Sequence, residues 1–284
     1  MAERQLTRLL LDSPLARVYD VVCATPRSGY GTLMLNRVTQ IALPRRGVFL
    51  MERRGEATVI DTNTMLVLGP DDEYRVAHPT GDGDEGMVLA LPPELAEDAI
   101  GRVRGRVGTL RPHDHLAVLI LSRALQGAAP DQLEAEDATL LLLGALSRAF
   151  ANTGHKEHAL GLGQRLRVER ARALLASAPT HRWDLGTLGH DLNCSPFHLA
   201  RQFRLATGET ISRYLLRLRL GITLERLATG ERDIATVAAE AGFCHHSHFS
   251  ARFRAVFGMT PSEARDVLTR RRFKELRGVL AGLP

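Results

Sequence analysis

The sequence predicts an α+β protein in two parts. A small β-barrel or sandwich with trailing helices comes first. An all-α unit of two helix-turn-helix subdomains joined by a long helix follows. Three observations predict this. Residues from about 4 to 90 hold short β-branched and apolar runs, separated by turn signals at roughly ten-residue spacing. Near the C-terminus one block occurs twice: Leu185-Gly-Thr-Leu188 recurs as Ile234-Ala-Thr-Val237, and Phe203-Arg204 with Gly208 recurs as Phe253-Arg254 with Gly258. Charge also divides the chain. From Gly161 onward 20 Lys and Arg face 11 Asp and Glu, whereas residues 1–160 hold 17 against 21.

The strand runs come in order. Val18-Tyr-Asp-Val-Val22 is β-branched and aromatic, Val48–Met51 follows Arg46-Gly47, and Ala57–Ile60 follows Arg54-Gly55. Asp61-Thr-Asn63 marks a turn before Met65–Leu68, Gly69-Pro-Asp-Asp72 marks another, and Gly81–Gly86 precedes Met87–Leu91. From Pro92 to about Ala151 the pattern is helical. Pro92-Pro93 opens a helix through Glu94–Val103, and Asp114–Leu125 is a second. Asp131–Phe150 is the strongest, with an acidic start and Arg148 near its end, as the helix dipole favours. Leu133, Leu140, Leu143 and Phe150 on it are candidates for a dimer contact, and a cover for the sheet is the competing role. Polar, glycine-bearing residues then suggest a linker, giving a domain over 1–154, a linker over 155–163 and a second domain over 164–284.

In the second domain the helices are placed by their caps. The first covers Gln164–Ser177 and stops before Pro179. Asp184 caps a helix to about Leu192, Asn193-Cys194 forms the turn, and Ser195-Pro196 reads as N-cap and first residue of the next helix. It carries Leu199, Phe203 and Leu205, with Gly208 closing it, and Leu199 and Phe203 are expected to point inward. A connecting helix spans Thr210–Ala228. Asp233 then caps Ile234–Ala241, Gly242 takes the place of Asn193, and His245–Val256 forms the second reader helix. Thr260-Pro261-Ser262-Glu263 is a capping box opening one last helix to about Leu276.

Burying Leu199 and Phe203 leaves Phe197, Ala200, Arg201 and Arg204 outward, with Ser195 and Pro196 at the tip. Burying Phe249 and Phe253 leaves His245, His246, Ser247, Ser250 and Arg254 outward, with Arg252 at the edge. N-terminal residues of a reader helix approach base edges in the major groove. Arg201 is the candidate for a bidentate guanine contact, Phe197 and Ala200 for thymine methyl groups, and His246 and Ser247 for hydrogen bonds to bases. A basic half rich in Arg fits a polyanion partner.

Cys23, Cys194 and Cys244 are widely spaced without a CxxC pair, which argues against a disulfide framework or a structural zinc site and fits a reducing cytosol. Cys244 with His245, His246 and His248 does not make a metal cluster, because adjacent helical side chains diverge by about 100°. His78 stands alone, and His113-Asp-His115 lies beyond the strands, so no catalytic residue, metal or cofactor is expected. No run approaches the ~18 apolar residues of a membrane span. The N-terminal residues lack an export signal, and a cytoplasmic location is expected.

The segment Asp233–Arg265 resembles the signature of the AraC/XylS family of bacterial transcription regulators, with Ser247, His248, Phe249, Phe253-Arg254, Gly258, Thr260-Pro261 and Arg265 at the family's positions. Ala251 departs from it, standing where a polar or basic residue is common. The resemblance covers about Gln164–Leu276. It implies two helix-turn-helix subdomains reading one face of double-stranded promoter DNA. The front half is similar to that family's cupin-like effector domain, through Ile41–Phe49, Asp61, Asp72–Arg75 and His78-Pro79. The expected function is a one-component regulator, an activator with repression as the open alternative, controlled by a small-molecule effector in the barrel, homodimeric through Asp131–Phe150 and with RNA polymerase as a further partner. Arg37, Gln40, Met51, Tyr74 and His78 are the pocket candidates. A ligand-independent regulator, whose front half only dimerises or contacts a protein, is the alternative. An enzymatic barrel is disfavoured by the missing metal-cupin histidine pattern.

Overall fold

Alternation along the strands sets the layers of the N-terminal half. In the computed structural model, which describes residues 5–100, 106–127, 131–151 and 160–281, every pairing between these strands is antiparallel. The strands are β1 (Gln5–Asp12), β2 (Arg17–Cys23), β3 (Met34–Leu35), β4 (Thr39–Arg46), β5 (Val48–Arg53), β6 (Glu56–Asp61), β7 (Thr64–Leu68), β8 (Glu73–Ala77), β9 (Asp84–Leu91) and β10 (Arg106–Thr109). Six form one sheet in the order β1-β2-β9-β4-β7-β10, and four form a second in the order β3-β8-β5-β6. Val18, Ile41, Leu43, Met65, Val67, Met87 and Leu89 alternate along the larger sheet and are buried against helices. Side chains of the opposite parity, Ala42, Leu66 and Leu68, pack with Phe49, Met51, Ile60 and Tyr74 of the smaller sheet. One face of the large sheet thus closes on helices and the other on the small sheet, because successive side chains point to opposite sides.

The helices are α1 (Pro93–Ile100), α2 (Pro112–Leu125), α3 (Gln132–Ala151), α4 (Leu162–Ser177), α5 (Leu185–Asp191), α6 (Pro196–Thr207), α7 (Ile211–Ala228), α8 (Ile234–Glu240), α9 (His246–Phe257), α10 (Pro261–Arg270) and α11 (Phe273–Ala281). Nearly every residue of α2 from Asp114 to Leu125 is buried. A helix apolar all round needs partners on every side, and α2 has them: β1 and β4 on one side, α3, α7, α9, α10 and α11 on the others. Arg45 of β4 ties it further, with Nη1 donating to Ser122 Oγ at 3.0 Å and Nη2 paired with Asp20 at 2.5 Å. One apolar core therefore runs from the large sheet through α2 into the second helix-turn-helix subdomain. The first subdomain has its own core, of Val168, Leu175, Leu188, Leu192, Leu199, Phe203, Tyr214 and Leu218.

Several expectations need correction. β10 pairs with β7 across Arg106↔Val67 to Thr109↔Thr64, within a stretch expected to be helical. Its four residues are too short to show alternation against the flanking helical pattern. Helix α4 begins at Leu162, two residues early, with Gly161 at its cap. The final helix is two, α10 and α11, separated where Arg271 takes φ +51°. Most of the expected linker, and the end of the helix expected to reach Val103, lie outside the described residues.

Candidate nucleic-acid interface

Each copy of the repeated block builds the same object. In the first, the Asp184 carboxylate accepts from Thr187 Oγ1 at 2.6 Å and Thr187 N at 2.9 Å. Those bonds, the hydroxyl's first, hold its carboxyl below the usual range. In the second, Asp233 accepts from Thr236 Oγ1 at 2.5 Å and Ala235 N at 3.0 Å, with the same effect. The turns follow at Asn193, φ +50°, and Gly242, φ +82°. A Cβ at Gly242 would also stand 3.0 Å from the Thr180 backbone, so glycine suits that turn on two counts. Ser195 caps α6, its Oγ accepting from His198 N at 3.4 Å, with Pro196 as the first helical residue. His245 occupies the equivalent place before α9 without a side-chain cap bond. Gly208 and Gly258 end the two helices at φ +78° and +71°.

Aromatic packing fixes which face each reader helix buries. Phe203 stands edge-on to Tyr214 of α7, ring centroids 5.3 Å apart. Phe249, Phe253 and Phe257 pack in succession, the first pair edge-on and the second tilted, with ring centroids 5.6 and 4.5 Å apart. The opposite faces are open. Ser195, Pro196, Phe197, Arg201 and Arg204 are exposed or nearly so and Ala200 is half-buried, with Phe197 at 73% exposure. His245, His246, Ser247, Arg252 and Arg254 are open to solvent and Ser250 is half-buried. Arg252 Nε donates to His248 Nε2 at 3.4 Å. Arg201, Arg204 and Arg254 form no salt bridge among the described residues, although Arg254 is near enough to Glu263 to help lower its carboxyl.

Other arginines of the basic half have structural partners, and these join its two parts. Tyr214 donates its hydroxyl to Asp61 Oδ2, at the end of β6. Arg172 of α4 donates Nε to the Tyr214 oxygen at 3.2 Å, Nη2 to the Val59 carbonyl at 2.9 Å, and Nη1 to Glu169 at 2.8 Å. Val59 N returns a bond to Glu169 at 2.7 Å. Arg217 reaches the Leu110 carbonyl at 2.5 Å while paired with Glu209 at 2.6 Å. Asn63 Nδ2 donates to the Tyr214 carbonyl at 3.1 Å. Burial pushes the Asp61 carboxyl up, against the pull of Arg172 and of the Tyr214 hydroxyl. Beside this network His115 is buried, and desolvation, then Arg45 and Arg217, lowers it to about 3.

The expected effector residues do not share one pocket. Arg37 is exposed in the loop before β4. Gln40 is half-buried on β4. Met51 is 2% exposed and packed against Ile60, Leu66 and Leu68, with Tyr74 beside it. His78 is buried elsewhere and does not stand alone. Its Nε2 is 3.4 Å from Cys23 Sγ and 3.1 Å from Asp84 Oδ2, a grouping spread over 62 residues of sequence. Burial raises the Asp84 carboxyl to about 6, with His78 opposing. The dimer candidates divide. Leu133 and Leu140 are exposed on α3, whereas Leu143 and Phe150 lie in the intramolecular core. Helical spacing locates all four on one helix, but it does not tell a core face from an outer one.

A family model described as a helix-turn-helix domain matches residues 188–267. A putative AraC-like transcription regulator of Streptomyces antibioticus is 31% identical over 98 residues, 34% of this chain and 32% of that protein. The transcriptional activator RhaS of Pectobacterium atrosepticum is 29% identical over 147 residues, 51% of this chain and 50% of that protein. The regulatory protein SoxS of Salmonella typhimurium is 37% identical over 74 residues, 26% of this chain and 69% of that protein. The chain thus spans about a third of the first of these relatives and half of the second. No helix of the described residues is long and apolar enough to cross a membrane. Placed by the paired subdomains and by these likenesses, the chain belongs to the AraC/XylS family of bacterial transcription regulators.

Proposed function

We propose that the chain is a sequence-specific promoter-binding transcriptional activator that inserts α6 and α9 into successive major grooves of one duplex. The observation that carries this reading is the pair of reader helices with matched turns and closing glycines, apolar faces buried and N-terminal faces open. Arg201 reads guanine, Phe197 and Ala200 meet thymine methyls, and His246 and Ser247 bond to base edges. Ser195, Pro196, Arg204, His245, Ser250, Arg252 and Arg254 hold the backbone and set the register. The β domain senses an effector and passes its state through the Asp61–Tyr214–Arg172 contact. Leu133 and Leu140 pair two chains, and RNA polymerase is the partner of the bound dimer. The location is the cytoplasm.

The test is binding of the full chain to duplexes from its own promoter region at rising salt. Six to ten phosphate contacts predict about a 10³–10⁵-fold loss between 50 and 200 mM. Affinity independent of salt and of sequence overturns the reading. A second reading, a ligand-independent regulator, is favoured by the filled interior around Met51, Ile60, Leu66 and Leu68. Thermal-shift screening of the full chain against metabolites and metal ions separates the two: stabilisation by one class supports sensing, and none supports assembly.

A further inference from the structure

We propose that Cys23, His78 and Asp84 form a binding site for a zinc-class divalent cation between the two sheets of the β domain. Cys23 and Asp84 are directly opposite each other in the β2–β9 register. Both have the parity that faces the small sheet. His78 follows β8 of that sheet and is pinned by reciprocal backbone bonds with Ser28, at 2.9 and 3.2 Å. The turn before Asp84 is pressed against β2 so closely that a Cβ at Gly83, φ +71°, would stand 2.1 Å from the Cys23 carbonyl. The three donor atoms, one from each residue, all lie within 4.8 Å of one another.

The way they meet distinguishes a cation site from a nucleophile relay. In a thiol–imidazole–carboxylate relay the thiol and the carboxylate use opposite ring nitrogens. Here both converge on Nε2, at 3.4 and 3.1 Å. One nitrogen holds at most one proton, so it cannot serve both, and Asp84 Oδ2, buried 3.1 Å from Nε2, has no other hydrogen-bond partner among the described residues. A cation at the common point satisfies all three donors. Tetrahedral zinc with bonds of about 2.3 Å to sulfur and about 2.0–2.1 Å to nitrogen and oxygen sets sulfur and nitrogen about 3.6 Å apart, and nitrogen and oxygen about 3.4 Å apart. The observed spacings are within a few tenths of an ångström of these. Thiolate and carboxylate together balance a divalent charge, and a thiolate–imidazole–carboxylate set suits zinc rather than magnesium or calcium. The supporting contacts are in place too. Ser28 Oγ is 3.4 Å from His78 Nδ1, and Thr25 Oγ1 is 3.0 Å from Cys23 Sγ. Three protein donors leave one tetrahedral position for water or an exogenous ligand.

Binding of the cation stands on this geometry alone. Its use as the effector rests on the sensing role proposed above. Metal-stripped full-length protein is titrated with Co²⁺. One equivalent per chain is expected, with thiolate-to-cobalt charge-transfer absorption and tetrahedral d–d bands, displaced by Zn²⁺. Cys23→Ser abolishes the charge-transfer absorption, and His78→Gln and Asp84→Asn abolish stoichiometric binding. Ser28→Ala weakens binding about tenfold. Cys244→Ser, on the exposed thiol, leaves the spectrum unchanged. Circular dichroism of each metal-free variant checks that it is folded, and Ser28→Ala keeps the test open if a ligand variant is not. Absence of the bands in wild type, or their survival in Cys23→Ser, overturns the site. DNA affinity measured with and without Zn²⁺ then tests the effector role separately. A change that disappears in Cys23→Ser supports it, and no change overturns the effector role while leaving the site standing.

Discussion

Tyr214 and Asp61 are 153 residues apart in sequence and share one buried hydrogen bond, the tyrosine hydroxyl donating to the carboxylate. Tyr214 sits on α7, the helix that joins the two reader subdomains, and its ring also packs edge-on against Phe203 of the first reader helix. Asp61 ends a strand of the small sheet, and its carboxylate also accepts from Asn63 N at 2.8 Å. A displacement of β6 therefore reaches α6 through two side chains. Tyr214→Phe keeps the aromatic contact and removes the hydroxyl, leaving a buried carboxylate short of a partner. The expected cost is about 1–3 kcal/mol of stability, read by urea denaturation. An unchanged midpoint would show that the contact carries no energy.

Two classes of arginine predict two kinds of defect. Arg201→Ala is expected to lose about 1–3 kcal/mol on the preferred duplex and to relax selectivity at one base position, with unchanged melting. Arg172→Ala removes one bond from α4 to α7 and one to β6, with two more to Glu169 of α4 itself, and should lower the melting temperature instead. Comparing competition binding with thermal melting for both variants checks the division.

His115 supplies a pH signature. Unfolded, it titrates near 6.5, and folded at about 3. Between those values the unfolded chain holds a proton that the folded chain does not. Its contribution is thus complete above about pH 6.5 and is lost as pH falls, approaching about 1.4 kcal/mol per unit. Asp84, Glu209 and Glu225 are raised by burial and act in the opposite sense. The quantity to follow is therefore the stability difference between wild type and His115→Asn. It should shrink from pH 6.5 to 5, and a pH-independent difference contradicts the burial of a neutral imidazole.

The two kinds of leucine on α3 also separate. Leu133→Glu with Leu140→Glu, both exposed, should convert a dimer to a monomer in analytical ultracentrifugation without loss of folding. Leu143→Ala, in the core at 3% exposure, should cost about 2–5 kcal/mol of stability and leave the association constant unchanged.

Local signals were legible and distant ones were not. Asp184, Asn193, Ser195 and Gly208, with their counterparts Asp233, Gly242, His245 and Gly258, are caps and turns whose preferences act within four residues. The sequence therefore displays both reader subdomains. β-Branched and apolar runs bounded by turn signals located β2, β5, β6, β7 and β9 for the same reason. The four residues of β10 are held as strand by pairing with β7, which no local pattern records. The surplus of arginine pointed to a polyanion, yet Arg172 and Arg217 bind the β domain, and only tertiary contacts separate them from Arg201 and Arg204. Cys23, His78 and Asp84 each look solitary in sequence because β2, β8 and β9 bring them together from two sheets.

Selection of duplexes from a random library by the full-length protein tests the central claim most directly. Two readers on one duplex predict enrichment of sites with two conserved blocks, their centres about 10–10.5 base pairs apart. Recovery of a pool no different from the input would contradict it.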